Sequence, residues 1–273
     1  MKNGIGVIFQ IERLLKGETE SLFNMGLDCV QLNCWNPSLY TKENAEKVLE
    51  ILDGKLRISS VWAGWSGCGI WNFVDGPETL GIVPEAYRYQ RMQELCKGAE
   101  FTSWLGVHDM ATHMGFIPEQ PTTSLYTGLV NAVKWVGTCC KKYDIHFNFE
   151  TGQETPITMM RTIQDTGLDN LGVNLDPANL ILYGKGNPVD AIDIYGDKIR
   201  GVHVKDGNYP KDDYHKLGHE TVVGEGSVNY PVFLPKLIKS GYEGDLYIER
   251  EISGPQQIID IKKTIDYIKE LID

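Results

Sequence analysis

The chain is short of several things, and each shortage closes off a class of protein. No apolar run approaches the roughly 18 uninterrupted residues of a membrane-spanning helix. Positive charge is scarce: 26 Lys and Arg face 37 Asp and Glu, for a net charge of −11. Extended binding to nucleic-acid phosphates or to an anionic membrane surface needs the opposite balance. The six cysteines (Cys29, Cys34, Cys68, Cys96, Cys139 and Cys140) contain no CxxC pair. In a chain of this length they read as reduced thiols rather than a disulfide framework. A glycine-rich phosphate turn is also missing. The glycines of GIGVIFQIERLL precede the first apolar run instead of following it, which disfavours a doubly wound nucleotide-binding sheet. The opening MKNGIGVIFQIERLLKGE has neither the continuous apolar segment nor the cleavage site of a secretory signal, so a cytoplasmic protein is expected.

What is present is an alternation of strand-like and helix-like segments over 273 residues, the length and pattern of a (β/α)₈ barrel. IGVIFQ, CVQLNC and RISSVWA read as the first three strands, with a helix over 12–25 and another in TKENAEKVLEILDG, N-capped by Thr41. A Gly-, Trp- and Pro-rich insertion over about 64–84 leads to the helix EAYRYQRMQELCKG, and FTSWLGVH is expected as the fourth strand. LYTGLVNAVKWVGTCCKKY is helical by its three-and-four apolar spacing. IHFNFE, LGVNLD, IRGVHV and DLYIE supply strands five to eight, and IIDIKKTIDYIKELID the last helix. No linker or composition shift divides the chain, so one TIM-barrel domain over 1–273 is expected.

The last four strands share a feature that carries chemistry. Glu150 closes IHFNFE, Asp176 closes LGVNLD, His203 lies near the end of IRGVHV, and Glu249 closes DLYIE. Alternation along a strand puts Phe147, Phe149, Val173, Leu175, Val202, Val204, Leu246 and Ile248 on the helix side and turns all four polar residues inward. Taken singly, each has a plain structural explanation: a helix cap for Asp176 before Pro177, a core histidine for His203. As a set at equivalent positions they read as ligands of one divalent ion. Three carboxylates and one imidazole suit Mn²⁺ or Mg²⁺.

The runs FETGQETP, NLDPANL, GVHVKDG and GEGSVNYPVFLPKLIKSGYEGDLYIERE resemble the xylose-isomerase-like TIM-barrel superfamily, in its sugar isomerase/epimerase branch. The resemblance implies that Glu150, Asp176, His203 and Glu249 hold the metal, Mn²⁺ or Mg²⁺ with Co²⁺ a further candidate, and that Glu150 and Glu249 are the catalytic acid/base pair. It implies an isomerase or epimerase that takes a proton from beside a carbonyl through a metal-stabilised enediolate, with a small carbohydrate as partner and no organic cofactor. Homo-oligomers are frequent in this branch. The alternative is a lyase or dehydratase that uses the same site for β-elimination from a keto-inositol or 3-keto-glycoside. Two departures favour that alternative. Asn179 stands where many epimerases of the branch carry His, and Tyr209 where they carry Arg.

Further substrate-binding candidates are His108, expected to point inward at the end of strand four, together with Asn179, Lys205, Asp206, Trp62 and Glu154. Trp65 and Trp71 are weighed with Trp62 as aromatic surfaces for a sugar ring. Glu225 in VVGEGS is expected to order the loop after strand seven. A DNA-repair barrel of the endonuclease IV kind would need further histidines and a less acidic surface. A non-catalytic barrel would have no use for all four ligands.

Overall fold

Short runs of β-branched and aromatic residues become strands because such side chains fill a pleated, covered surface. In the computed structural model, which describes residues 4–272, these runs form β1 (Ile5–Gln10), β2 (Cys29–Cys34), β3 (Arg57–Ala63), β4 (Asp109–His113), β5 (His146–Glu150), β6 (Leu171–Leu175) and β7 (Ile199–Val204). Two short strands follow, β8 (Asp206–Asn208) and β9 (His219–Thr221), and then β10 (Leu246–Ile248). The barrel closes in the order β1-β10-β7-β6-β5-β4-β3-β2 with every neighbouring pair parallel. Helices join successive strands, so this is a (β/α)₈ barrel. Strands β8 and β9 pair antiparallel as a separate ribbon just beyond the end of β7, which the sequence reading did not foresee.

Two layers with opposite chemistry make up the interior. Between strands and helices, Phe147, Phe149, Val173, Leu175, Val202, Val204, Leu246 and Ile248 are all buried. Each contributes about 1.5–3 kcal/mol through its removal from water. Inside the barrel, where branched aliphatic residues usually dominate, the side chains are largely polar. Gln31 Nε2 donates to Ser60 Oγ (2.7 Å) and Asn174 Oδ1 (3.2 Å), and Asn148 Nδ2 donates to Asp109 Oδ1 (2.9 Å). Glycine makes this layer possible. A Cβ at Gly172 would lie 2.5 Å from Asn148 Oδ1, and one at Gly201 would lie 2.6 Å from Asn174 Oδ1.

Two expected elements are corrected. The helix expected over 12–25 is two short pieces, Ile11–Leu15 and Glu20–Phe23, separated by Gly17 at φ 78°. The fourth strand is not FTSWLGVH. Helix Glu85–Trp104 continues through Gly98, and β4 begins only at Asp109. Gly98 is a packing residue, not a helix stop: a Cβ there would sit 3.3 Å from Met110 Sδ and 3.4 Å from Ala63 Cβ. The chain turns at Gly106 instead, where φ is 69°. The Thr41 cap is present, its Oγ1 accepting from Asn44 N–H at 3.2 Å. All six cysteines are free thiols, and among the described residues no helix is long and apolar enough to cross a membrane.

Candidate metal centre

The four strand-end residues meet. Glu150, Asp176, His203 and Glu249 each offer one ligand atom, and these atoms lie within 4.8 Å of one another at the C-terminal end of the barrel. His203 Nδ1 is 3.1 Å from Glu150 Oε1, 3.3 Å from Glu249 Oε2 and 3.6 Å from Asp176 Oδ2. Yet neither His203 Nδ1 nor Asp176 Oδ2 makes a hydrogen bond of acceptable geometry, although both are buried. Orphaned polar atoms in a dry site are costly unless something else engages them. A divalent cation among three carboxylate oxygens and one imidazole nitrogen fits that requirement.

Surrounding contacts prepare each ligand. His203 Nε2 lies 2.8 Å from Gln31 Oε1, whose amide is oriented by its donations to Ser60 and Asn174. Nε2 therefore carries a proton, and Nδ1 is the nitrogen left to face the carboxylates, where a bound cation would take its lone pair. Asp176 serves twice. Its Oδ1 accepts from Asn179 N–H at 2.8 Å and caps helix Pro177–Leu182, leaving Oδ2 for the cluster. Thr151 Oγ1 accepts from the Asp176 N–H and donates to its carbonyl, locking that backbone. Glu150 divides its oxygens in the same way: Oε1 faces His203, while Oε2 accepts from Trp62 Nε1–H and lies 3.3 Å from His113 Nε2.

The electrostatics of this end favour added positive charge. Burial opposes ionisation of Glu150, but the neighbouring His113 and His203 rings hold its carboxyl well below the usual range. Burial likewise disfavours protonated His203, yet Glu150, Asp176 and Glu249 raise its proton affinity well above that of free histidine. One lysine shares the space. Lys205 is 1% exposed, and its Nζ donates to Glu251 Oε1 (2.7 Å), Glu249 Oε2 (3.2 Å) and Asn179 Oδ1 (3.3 Å). Burial works against its charge, but Glu249, Glu251 and Asp176 keep it firmly protonated. Even with His203 protonated, four carboxylates against one ammonium and one imidazolium leave negative charge uncompensated.

The remaining candidates divide. Asn179 and Trp62 line the same cavity as Glu150 and Glu249. Trp62 nonetheless spends its indole N–H on Glu150 and is 4% exposed, so the open aromatic surfaces belong to Trp35 and Trp71. Trp35 lies 4.4 Å from the Trp62 ring and 6.1 Å from Trp71. Arg91, buried on helix Glu85–Trp104, anchors the insertion that carries Trp71. Its guanidinium donates to the carbonyls of Ser66, Cys68, Thr79 and Gly81 and stacks 3.9 Å from Trp65.

Three expectations are corrected. His108 precedes β4, at the opposite end of the barrel, where its exposed ring meets the Asp144 carbonyl at 3.0 Å. Its expected place belongs to His113, which closes β4 and points at Glu150. The alternation Asp109, Ala111, His113 was the available signal, hidden by the misplaced strand. Asp206 is a loop clasp: its carboxylate accepts from the N–H groups of Gly207, Gly224, Gly226 and Val228, the role expected of Glu225. Glu154 is buried outside the cavity lining, neither oxygen hydrogen-bonded to a side chain, and burial pushes its pKa up to about 8.

An acidic, oxygen-rich cluster at the C-terminal mouth of a (β/α)₈ barrel is where enzymes of this architecture work. Residues 20–271 match the family model described as xylose isomerase-like TIM barrel, and the chain belongs to that family. A xylose isomerase domain protein from Planctomyces limnophilus is 28% identical, with a TM-score of 0.88 over 98% of this chain and 95% of that one. An uncharacterized protein of Methanocaldococcus jannaschii, MJ1311, is 22% identical over 100% of this chain and 90% of its own length. A D-tagatose 3-epimerase-like protein shares 22% identity at a TM-score of 0.76, covering 98% and 97%. At 13–17% identity the same barrel occurs in sugar 3-epimerases, a 3-keto-D-glucoside 4-epimerase and a probable dehydratase.

Proposed function

We propose that the protein is a divalent-metal-dependent isomerase or epimerase of a small, unphosphorylated carbohydrate, acting in the cytoplasm. The observation that carries this reading is the convergence of three carboxylates on His203 Nδ1, with that nitrogen and Asp176 Oδ2 left without hydrogen bonds. Glu150, Asp176, His203 and Glu249 would hold Mn²⁺ or Mg²⁺. When bound, such an ion polarises a carbonyl oxygen and so acidifies the neighbouring C–H.

The proton itself is moved by the chain. Glu249 reaches the cavity with its side chain 19% exposed, oriented by the Lys205 ammonium at 3.2 Å. It is placed to take or return a proton on one face of the sugar. Glu150 is its counterpart, with His113 and Trp62 on its second oxygen to steady the carboxylate as charge moves. Positioned acid/base groups of this kind contribute about 10²–10⁴-fold each. Asn179 supplies an amide for a hydroxyl, and Trp35 and Trp71 offer faces for the ring's C–H surface.

Elimination at the same site is the second reading. It is favoured by a cavity of about 990 Å³, far larger than the ligand cluster needs. Proton NMR in D₂O with Mg²⁺ separates the two, with Glu150→Gln as control. Metal-dependent deuterium uptake with a new epimer or isomer supports the first reading, and uptake with loss of a β-substituent supports the second. A protein that takes up no metal and exchanges no substrate proton sinks both.

A further inference from the structure

The cavity above the ligand cluster does not stop at the barrel mouth. From Trp71, His113 and Glu150 it runs over the ends of β1 and β10 into a groove between two helices of the outer layer, Glu20–Phe23 and Pro255–Ile272. On this side the helical segment is broken at Gly17 into Ile11–Leu15 and Glu20–Phe23, and Arg13, Glu18 and Ser21 from around the break line the cavity. Half-buried Ser21 and Met25 line one wall, and half-buried Gln257 and Ile258 the other. At about 990 Å³ the whole cavity sits at the upper end of the roughly 300–1,000 Å³ found for pockets that enclose drug-sized ligands.

Charge decides what kind of molecule suits it. Each cation along the path is already engaged. Arg13 pairs with Glu18 at 3.1 Å and lies over the Phe9 ring. Arg250 is held between Glu220 and Asp260, both at 2.8 Å. Lys205 is committed to Glu249 and Glu251. A phosphate would find no free partner, whereas an uncharged group with apolar faces and hydroxyl edges meets Met25 and Ile258 beside Ser21 and Gln257.

We propose that this groove is a second subsite, which holds the non-reacting ring of a neutral glycoside while its sugar sits at the metal cluster. This rests on the functional reading above and narrows it: the substrate class is glycosides, not free monosaccharides or sugar phosphates. The bound ring is either a planar aglycone or a second sugar, and both present the same apolar faces.

Isothermal calorimetry with the Mg²⁺-loaded protein tests this without depending on turnover. The probes are glucose, phenyl β-D-glucoside, cellobiose and glucose 6-phosphate. The wild type should bind phenyl glucoside or cellobiose at least 10-fold tighter than glucose, and the stronger of the two identifies the ring. Glucose 6-phosphate should gain nothing over glucose. Ser21→Trp and Ile258→Trp, which fill the groove from opposite walls, should each bring the glycoside-to-glucose ratio close to one. That ratio is internal to each variant, so a variant that folds poorly does not imitate the result. Equal affinity for glycoside and glucose, tighter binding of the phosphate, or a preference that survives both tryptophans overturns the proposal. Failure of the functional reading shows separately, as absence of metal-dependent proton exchange from 3-keto-glucose and its phenyl glycoside alike.

Discussion

The two ends of the barrel solve the same electrostatic problem in opposite ways. At the N-terminal end Asp245 and Asp109 each have a counter-charge. Asp245 receives both guanidinium nitrogens of Arg57 at 2.9 Å, together with the Gly4 N–H and the Ser59 hydroxyl. Asp109 receives Arg200 Nε at 2.5 Å and the Asn148 amide. At the C-terminal end Asp176, Glu249 and Glu251 share Lys205, Glu150 meets the His113 and His203 rings, and ligand atoms are left without hydrogen bonds. A finished ion pair holds a fold together; an unfinished one holds a place for something else. The difference marks which end is structural and which is chemical, in agreement with the usual division of labour in this architecture.

Breaking the unfinished end should have the largest effect. Asp176→Asn or Glu150→Gln should weaken Mn²⁺ binding by more than about 100-fold, since even changes one shell further out cost 10–100-fold. Metal titration by calorimetry measures this. In the wild type, a chelator should remove the roughly 4 kcal/mol that a ligand at about 1,000 times its Kd supplies. That corresponds to a fall of roughly 10 °C in melting temperature. In the two variants, at the same metal concentration, the chelator should lower the melting temperature by no more than about a third as much.

Glu154 tests burial without a hydrogen-bonding side chain. Its folded pKa of about 8 lies above the unfolded value, so the folded state holds the extra proton across the interval between them. The stability that goes with this proton is fully present below the unfolded pKa near 4.3 and is lost as pH rises through 8. Glu154→Gln should flatten the fall in denaturation free energy between pH 5 and 9. An unchanged pH profile would remove the basis for calling this carboxyl neutral.

At the finished end, Asp245→Asn should cost about 2 kcal/mol in urea denaturation, because Arg57 is half exposed and water screens much of the pair. Metal affinity should stay at the wild-type value, which is what separates the two ends. Smallest of all, His108→Ala should change stability by no more than about 0.5 kcal/mol and proton exchange not at all. Any loss of exchange would mean that the end of the barrel on which His108 lies has been misjudged.

Much of this was legible in the chain because it depends on local periodicity. β1, β2, β3 and β7 match their apolar runs residue for residue, and β5, β6 and β10 differ only at their edges. Period-two alternation turned Glu150, Asp176 and His203 inward without any knowledge of their neighbours. β4 was misread because Gly98 looks like a helix stop in one dimension, and only the closeness of Met110 and Ala63 explains a glycine inside a helix there.

The amino-acid order by itself determined which residues are strand-end acids and imidazole, and hence the kind of ion they suit. Tertiary structure alone decided how polar side chains were spent. Asp206 was committed to four backbone N–H groups, the Trp62 indole to Glu150, and Lys205 to three acids rather than to solvent. It also brought His113 to the site and opened a groove between helices Glu20–Phe23 and Pro255–Ile272. The reason is physical: alternation is a property of one strand, whereas a hydrogen-bond partner is set by which strands and loops become neighbours when the barrel closes.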